Sequence, residues 1–268
     1  MPGTRLMALG LSTTILVTVG PRIAAQALSA DDIVSRSQEA FLAPGDDMRA
    51  RISMRLINKA GRERAREMTL LRKDLTDGDQ KYFVYFHQPG DVRDMTFMVW
   101  KYEGRDDDRW LFVPAINQVR RLAANDNRSS FVGSDFTYED VSGRDLDADT
   151  HTLVREEMLD GMDCYVIESV PTDTDAEYQR KVSWIDKATF LSMKEEYYDR
   201  RGDLARVYTT EDVQTVGGFP TATHRLMVDL VKEHRTEVIF ESVEYDVGLD
   251  EDVFTERSLR RPPQAWIR

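Results

Sequence analysis

Asp108-Arg-Trp-Leu-Phe-Val-Pro-Ala-Ile-Asn-Gln-Val-Arg-Arg-Leu122, and after a polar stretch Ser130-Phe-Val-Gly-Ser-Asp-Phe-Thr-Tyr-Glu-Asp140, is the part of the chain whose reading decides the fold. Trp110 to Pro114 reads as a short aromatic strand that Pro114 stops, because proline has no N–H to give a sheet ladder. Ala115 to Gln118 make a turn, and Val119 to Leu122 return as a second strand carrying Arg120 and Arg121. Ala123 to Ser129 are small and polar and read as loop. From Phe131 to Val141, four apolar side chains (Phe131, Phe136, Tyr138, Val141) alternate with Gly133, Ser134, Asp135, Glu139 and Asp140. That mixture is too polar for a core strand and too apolar for a free loop. It predicts a cap with one or two helical turns, N-capped by Ser134 or Asp135.

Outward from this block, the pattern is one of hairpins. From Met48 to Leu56 the even positions are Met, Ala, Ile, Met and Leu, and Arg49, Arg51, Ser53 and Arg55 hold the odd ones. Period two with one dry face is a half-buried strand. Turn signals at Asn58 to Gly61, Pro89-Gly90, Glu103-Gly104, Asp160 to Asp163, Asp186-Lys187, Arg201 to Asp203 and Gly217-Gly218 separate further runs up to Thr236 to Tyr245. About eleven strands joined by short connections must be antiparallel neighbours, since a parallel crossover needs a dozen or more residues. The fold class predicted is mainly β: an antiparallel up-and-down meander curling towards a barrel. An N-terminal helix, capped by Ser29 with Asp31 and Asp32 and ended by Pro44-Gly45, and the short helical cap complete it. Polar outer faces on these strands, Arg49, Arg51 and Arg55 on one and Gln179, Lys181 and Ser183 on another, speak against a lipid-facing barrel wall. Tyr82 to Phe86, Met95 to Trp100 and Trp110 to Val113 are apolar on both faces, so their outer face needs a cover, for which the Ser29 to Phe41 helix is the candidate.

The block also carries a family resemblance. Trp110-Leu-Phe-Val-Pro114, then Val119-Arg-Arg-Leu122, then Ser130-Phe-x-Gly-Ser-Asp-Phe-x-x-Glu-Asp140 resembles the periplasmic outer-membrane lipoprotein-sorting proteins, relatives of a lipoprotein carrier with an open β-barrel. The likeness continues in Trp184-Ile-Asp186 to Tyr198, in Gly218-Phe-Pro220 and in Asp252-Val-Phe-Thr255. It implies an antiparallel open or incomplete β-barrel whose concave face holds acyl chains under a short helical lid. It also implies an inner-membrane transporter and an outer-membrane acceptor as partners.

The first 27 residues read as a cleaved secretory signal. Arg5 is the charged n-region, Leu6 to Val19 a broken apolar run, and Ala25-Gln26-Ala27 a small-x-small cleavage site. The run is too short and interrupted for a comfortable membrane span. Residues 28–268 then form one domain, exported to the periplasm. The chain has 36 Lys+Arg against 48 Asp+Glu, and losing Arg5 and Arg22 with the leader moves its net charge from −12 to −14. Such a charge opposes nonspecific binding to nucleic acid or anionic lipid surfaces. Cys164 is the only cysteine, so no internal disulfide forms.

No catalytic constellation emerges, and neither a cofactor nor a metal is predicted. His87, His151, His224 and His234 have no metal-ligand spacing and sit in or beside strands. Gly133-Ser134-Asp135 lacks the G-x-S-x-G of a nucleophile elbow, and Glu139-Asp140 reads as the start of a helix. Asp145, Asp147, Asp149 and Glu156 match four calcium-loop ligand positions, yet Thr150 stands where the loop needs glycine. A solvated acidic turn is the reading.

Strand alternation places Ile52, Met54, Leu56, Trp110, Phe112, Val182 and Trp184 inward as a lipid-binding surface, with Phe131, Gly133 and Phe136 as the lid. Patterning alone leaves a packed core open as the alternative, and 11 methionines suit either. With the resemblance, the function expected is that of a non-enzymatic periplasmic carrier for the acyl chains of a lipoprotein or other lipid, moving it towards the outer membrane. A sensor or adaptor on the same fold, binding a regulatory protein or assisting an inner-membrane lipid exporter, is the alternative.

Overall fold

The computed structural model describes residues 27–268 except 77, 103, 124–127, 174, 175 and 177. The expected leader up to Gln26 and the middle of the Ala123 to Ser130 loop therefore lie outside the described residues. Helix α1 (Ala30–Leu42) is followed by strands β1 (Asp47–Ile57), β2 (Glu63–Asp74), β3 (Gln80–Gln88), β4 (Thr96–Lys101), β5 (Asp108–Val113) and β6 (Gln118–Leu122). A short helix α2 (Tyr138–Ser142) separates these from β7 (Asp149–Leu159), β8 (Met162–Pro171), β9 (Arg180–Asp186), β10 (Ser192–Tyr198), β11 (Leu204–Val216), β12 (Phe219–Asp229) and β13 (His234–Tyr245). Helices α3 (Glu256–Arg260) and α4 (Gln264–Ile267) end the chain.

All thirteen strands form one antiparallel sheet in the order β6-β5-β4-β3-β2-β1-β13-β12-β11-β10-β9-β8-β7. Even a strand as short as β6, expected over Val119 to Leu122, pairs along its whole length. The two ends of the sheet, β6 and β7, do not pair, so the barrel is incomplete. The chain between them, residues 123–148, contains the predicted lid.

β1 behaves as its alternation predicts. Ala50, Ile52, Met54 and Leu56 are buried in the main apolar cluster. On the other face Arg49 pairs with Glu244 (2.8 Å), Arg51 with Glu67 (2.9 Å), and Arg55 with Glu63 (3.0 Å) and Glu237 (2.9 Å). These are exposed cross-strand pairs, each contributing about 1 kcal/mol at most. The hairpin at Asp160 (φ 49°) and Gly161 (φ 88°) has both central residues left-handed, the geometry that matches strand twist.

Helix α1 starts with a reciprocal cap: Asp32 N–H donates to Ser29 Oγ, and Ser29 N–H donates to the Asp32 carboxylate, both at 3.0 Å. Its far end is held by Arg72, fully buried on β2. The guanidinium donates to the carbonyls of Leu42 (2.7 Å), Pro44 (2.8 Å) and Gly45 (2.8 Å) and lies 3.4 Å from Asp74. The helix does not cover the outer face of β3, β4 and β5, as the sequence suggested. It lies on the concave side, where Ile33 packs with Ile167 and Ile185 and Phe41 joins the main cluster. The outer cover is instead the C-terminal segment: Leu249, Val253, Phe254, Leu259 and Ile267 pack on Leu71, Phe83, Met98, Trp110 and Phe112. Trp100 Nε1–H donates to Phe254 O (2.9 Å) and Thr96 Oγ–H to Leu259 O (2.8 Å), fixing its course.

His87, on β3, has its pKa pushed down to about 4 by burial and then by the nearby Arg51 charge. Above about 6.5 it is neutral in both folded and unfolded chains. Between 6.5 and 4 only the unfolded chain takes up the proton, so stability is lost as pH falls through that window. Asp74, raised to about 6 mainly by burial, acts in the opposite sense. His87→Gln removes only the first effect. The variant should therefore lose less melting temperature than the wild type between pH 7 and pH 5; parallel losses would refute the assignment.

Candidate functional site

The concave face of the sheet encloses a cavity of about 180 Å³. One wall is apolar: Ile52 and Met54 of β1, Met68 and Leu70 of β2, Val84 of β3, and Met227, Val238 and Phe240 of β12 and β13. Phe41 and Leu42 of α1 close one side, and Phe131 and Phe136 close another. A second cavity of about 130 Å³ adjoins it, sharing Gln38, Phe41, Leu42, Asp140, Glu195 and Tyr197, and its lining is charged. The two together give an interior that is apolar towards β1–β3 and polar towards β9–β11.

The polar half is internally neutralised. Lys181 Nζ lies 3.5 Å from Glu195 Oε1, and Glu195 also accepts from Tyr197 Oη (2.5 Å) and Ser192 Oγ (3.0 Å). Burial alone would discharge both groups. Against that burial, Glu195 acts together with Tyr178, Asp149 and Asp140 to raise the Lys181 pKa, while Lys181 and the two hydroxyls hold the Glu195 carboxyl low.

The segment expected to be a lid is seated over the apolar half. Phe131 is almost fully buried, with its ring 6.0 Å from Phe86, 5.6 Å from Phe97 and 5.3 Å from Tyr138. Phe136 meets Tyr208 edge-on at 6.4 Å. Gly133 is left-handed (φ 82°) with open space where a Cβ would be, so its role is the bend. Beside it Val132 is left-handed too (φ 45°), a strained state for a β-branched residue. The N-cap of α2 is Thr137, not Ser134 or Asp135: Asp140 N–H donates to Thr137 Oγ1 (3.1 Å) and Thr137 N–H to Asp140 Oδ2 (2.7 Å). The reciprocal pairing favours Thr137, because it satisfies two backbone donors at once.

That frees Asp135 for another task. Its buried carboxylate accepts from Thr236 Oγ1 and His234 Nδ1, both at 2.6 Å, and its backbone N–H donates to Thr236 Oγ1 (3.0 Å). Asp135 is thus tied across about a hundred positions to His234 and Thr236, which holds this segment to β13. Sequence reasoning missed them, since no spacing signal links such distant positions. Asp135→Asn should weaken the latch by about 1–3 kcal/mol, the cost of leaving a buried donor without its acceptor. Hydrogen exchange over residues 128–142 should accelerate more than over the strands. Unchanged exchange would mean that the aromatic contacts alone hold the lid.

The predicted lipid-binding residues fall into three places. Ile52 and Met54 line the cavity, and Leu56 lies in the same cluster beyond its lining. Trp110 and Phe112 are on the opposite face, under the C-terminal segment. Register shows why: Trp110 pairs with Met98, Met98 with Phe83, Phe83 with Leu71 and Leu71 with Arg49, and directly opposed residues share a face. Trp110 thus sits on the face of the charged arginines. Val182 and Trp184 also point outward, with Cys164 and Val166. Their neighbour Ser183 pairs with Glu195, and Glu195 with Tyr208 of the main cluster. Lys181 and Ser183, read from sequence as a wet outer face, are the interior set. Phe131, Gly133 and Phe136 all lie in the segment between β6 and β7, and the two phenylalanines line the cavity.

Other sequence candidates have structural partners. His87 bonds Thr69 (2.9 Å), and His151 bonds Ser169 (2.8 Å) and Leu146 O (3.1 Å). Asp149, read as part of a solvated turn, is buried against Arg144 (3.0 Å) and Tyr178 Oη (3.3 Å).

A family model described as "Uncharacterized protein" matches residues 78–261, more than half of the chain. The chain belongs to that family. None of the curated proteins matches. Among solved structures, a DUF1329 family protein from Desulfovibrio piger is 28% identical, with a TM-score of 0.79 over 86% of this chain and 97% of that one. A candidate outer membrane lipoprotein-sorting protein domain from Vibrio parahaemolyticus is 27% identical, with a TM-score of 0.80 over 87% and 98%. A LolA superfamily protein from Nitrosomonas europaea is 21% identical, with a TM-score of 0.68 over 86% and 99%. The family member described here therefore has a LolA-like fold.

Proposed function

We propose that this protein is a non-enzymatic binding protein of the periplasm that shields a lipid-like group, such as a lipoprotein acyl chain, inside its barrel. One observation carries this reading: an apolar cavity at the centre of the concave face, roofed by a lid whose two phenylalanines are its plug. Its likeness to the Vibrio parahaemolyticus sorting domain supports the same reading. At about 180 Å³ the cavity is smaller than the roughly 300–1,000 Å³ of ordinary ligand sites, so a long acyl chain requires the lid or α1 to shift. Each buried CH₂ contributes about 0.8 kcal/mol, so a sixteen-carbon chain gains on the order of 10 kcal/mol before ordering costs. No reaction is needed, and release requires an acceptor or lid opening. The test is organic extraction of protein purified from the periplasm, with mass spectrometry of the extract, then titration of the stripped protein with a fluorescent acyl probe. An empty extract together with no probe binding would sink the carrier reading.

A second reading, an envelope sensor or adaptor that docks a regulatory protein or an exporter, is favoured by β7. This strand is an unpaired sheet edge with Val154 and Met158 exposed, the kind of edge to which a partner strand adds. A pull-down from envelope extracts separates the two: a stoichiometric protein partner retained by protein already stripped of lipid supports the adaptor.

A further inference from the structure

Arg225 of β12 is out of keeping with its surroundings. It lines the apolar cavity, with its guanidinium carbon 4.0 Å from the Phe41 ring centroid and 4.4 Å from that of Phe240. Its one hydrogen bond among the described residues runs from Nε–H to Ala222 O (3.0 Å), which leaves the terminal nitrogens without a protein acceptor. The two carboxylates on the same cavity are committed elsewhere. Glu195 is held by Lys181, Tyr197 and Ser192, and Asp140 caps α2 and lies 3.7 Å from Arg206. Burial lowers the Arg225 pKa, and only the Tyr208 and Tyr245 hydroxyls oppose that effect. An arginine nevertheless stays charged at neutral pH. The residue is partly buried, so this cation keeps some contact with water while it faces an apolar wall with no protein counter-ion, and proteins ordinarily pair a cation so placed.

We propose that Arg225 receives the anionic head of the cargo, so that the ligand class is an acyl amphiphile carrying a carboxylate or phosphate. The chain would lie along Ile52, Met54, Met68, Leu70 and Val84, and the head would accept two parallel N–H bonds from the guanidinium. The aromatic rings of Phe41 and Phe240 hold the guanidinium plane in place, so little side-chain freedom is lost on binding. This inference rests on the lipid-binding reading and specifies its ligand. The competing role for Arg225 is purely structural, as a cation clamped between two rings to fasten α1.

The experiment uses lipid-stripped protein loaded with a neutral fluorescent acyl amide. Hexadecanoate, hexadecyl phosphate and neutral methyl hexadecanoate are then compared as displacers. In the wild type each anion that fits is expected to displace the probe at a concentration at least about tenfold lower than the ester, as a charge-assisted bond predicts. Whether the carboxylate or the phosphate is favoured identifies the source of the charge. Arg225→Met should lose the preference while still binding the ester, and Arg225→Lys should keep part of it. If Arg225→Met fails to fold, the wild-type and Arg225→Lys comparisons decide alone. Equal displacement by ester and anions in the wild type would overturn the headgroup assignment and leave the lipid-binding reading intact. A preference that survives in Arg225→Met would overturn it too. Failure of the neutral amide and all three displacers to bind would overturn the lipid-binding reading, and this inference with it.

Discussion

Met54→Glu is expected to abolish binding of a fluorescent acyl probe, while Trp184→Asp leaves it intact. Met54 projects from β1 into the apolar wall of the cavity. A carboxylate there must either stay charged in a low-dielectric pocket or take up a proton, and either route costs several kcal/mol or attracts water into the site. A loss of about 3 kcal/mol is already more than a hundredfold in affinity. Trp184 is chemically a better candidate for apolar contact, but it lies on the other face of the sheet. There its indole N–H donates to Glu157 (2.5 Å) and Lys194 lies over its ring at 4.6 Å. Titration of both folded variants checks this. Retained affinity in Met54→Glu would mean that cargo binds elsewhere, and loss in Trp184→Asp would mean that the outer face takes part.

Arg72→Met should lower stability by about 3–5 kcal/mol, the range for removing one partner from a buried ionic network. Three carbonyls at the end of α1 and in the turn after it lose their donors at once, and Asp74 loses its counter-charge. Methionine restores the volume of the stem but none of the hydrogen bonds. For a domain of this size the melting temperature should fall by about 10 °C. Hydrogen exchange over Ala30–Leu42 should rise with it, because this side chain holds the backbone carbonyls at that end of α1 and in the turn after it. A fall of less than about 2 °C would mean that water takes over the three carbonyls.

One variant probes the cavity and the other the helix that closes it, yet they differ in what the chain makes legible. Arg72 stands in a strand whose alternation is clear, but nothing local says that its guanidinium caps a helix thirty residues earlier. The same holds for the Asp135–His234–Thr236 latch. Local chemistry such as the Ser29 cap, the Asp160-Gly161 turn and the Pro114 stop is readable, because each depends on residues within four positions.

By itself the sequence determined the antiparallel sheet, its hairpins, the dry face of β1, the helix at Ser29 and an aromatic segment between β6 and β7. All are consequences of period-two patterning and turn stereochemistry, which act at short range. It did not determine which face of β5 or β9 is the interior. β5 is apolar on both faces, and β9 puts its charged set inside. A face there is defined only by the register that links it, strand by strand, to β1 or to Tyr208. Nor could it tell which segment covers the outer aromatic face. α1 and the C-terminal residues 246–268 both offer apolar stripes, and the choice between them is made by long-range packing. The cavity, its unpaired Arg225 and the closed lid belong to the same level: they exist only where thirteen strands curve around one another and leave space that no single strand encodes.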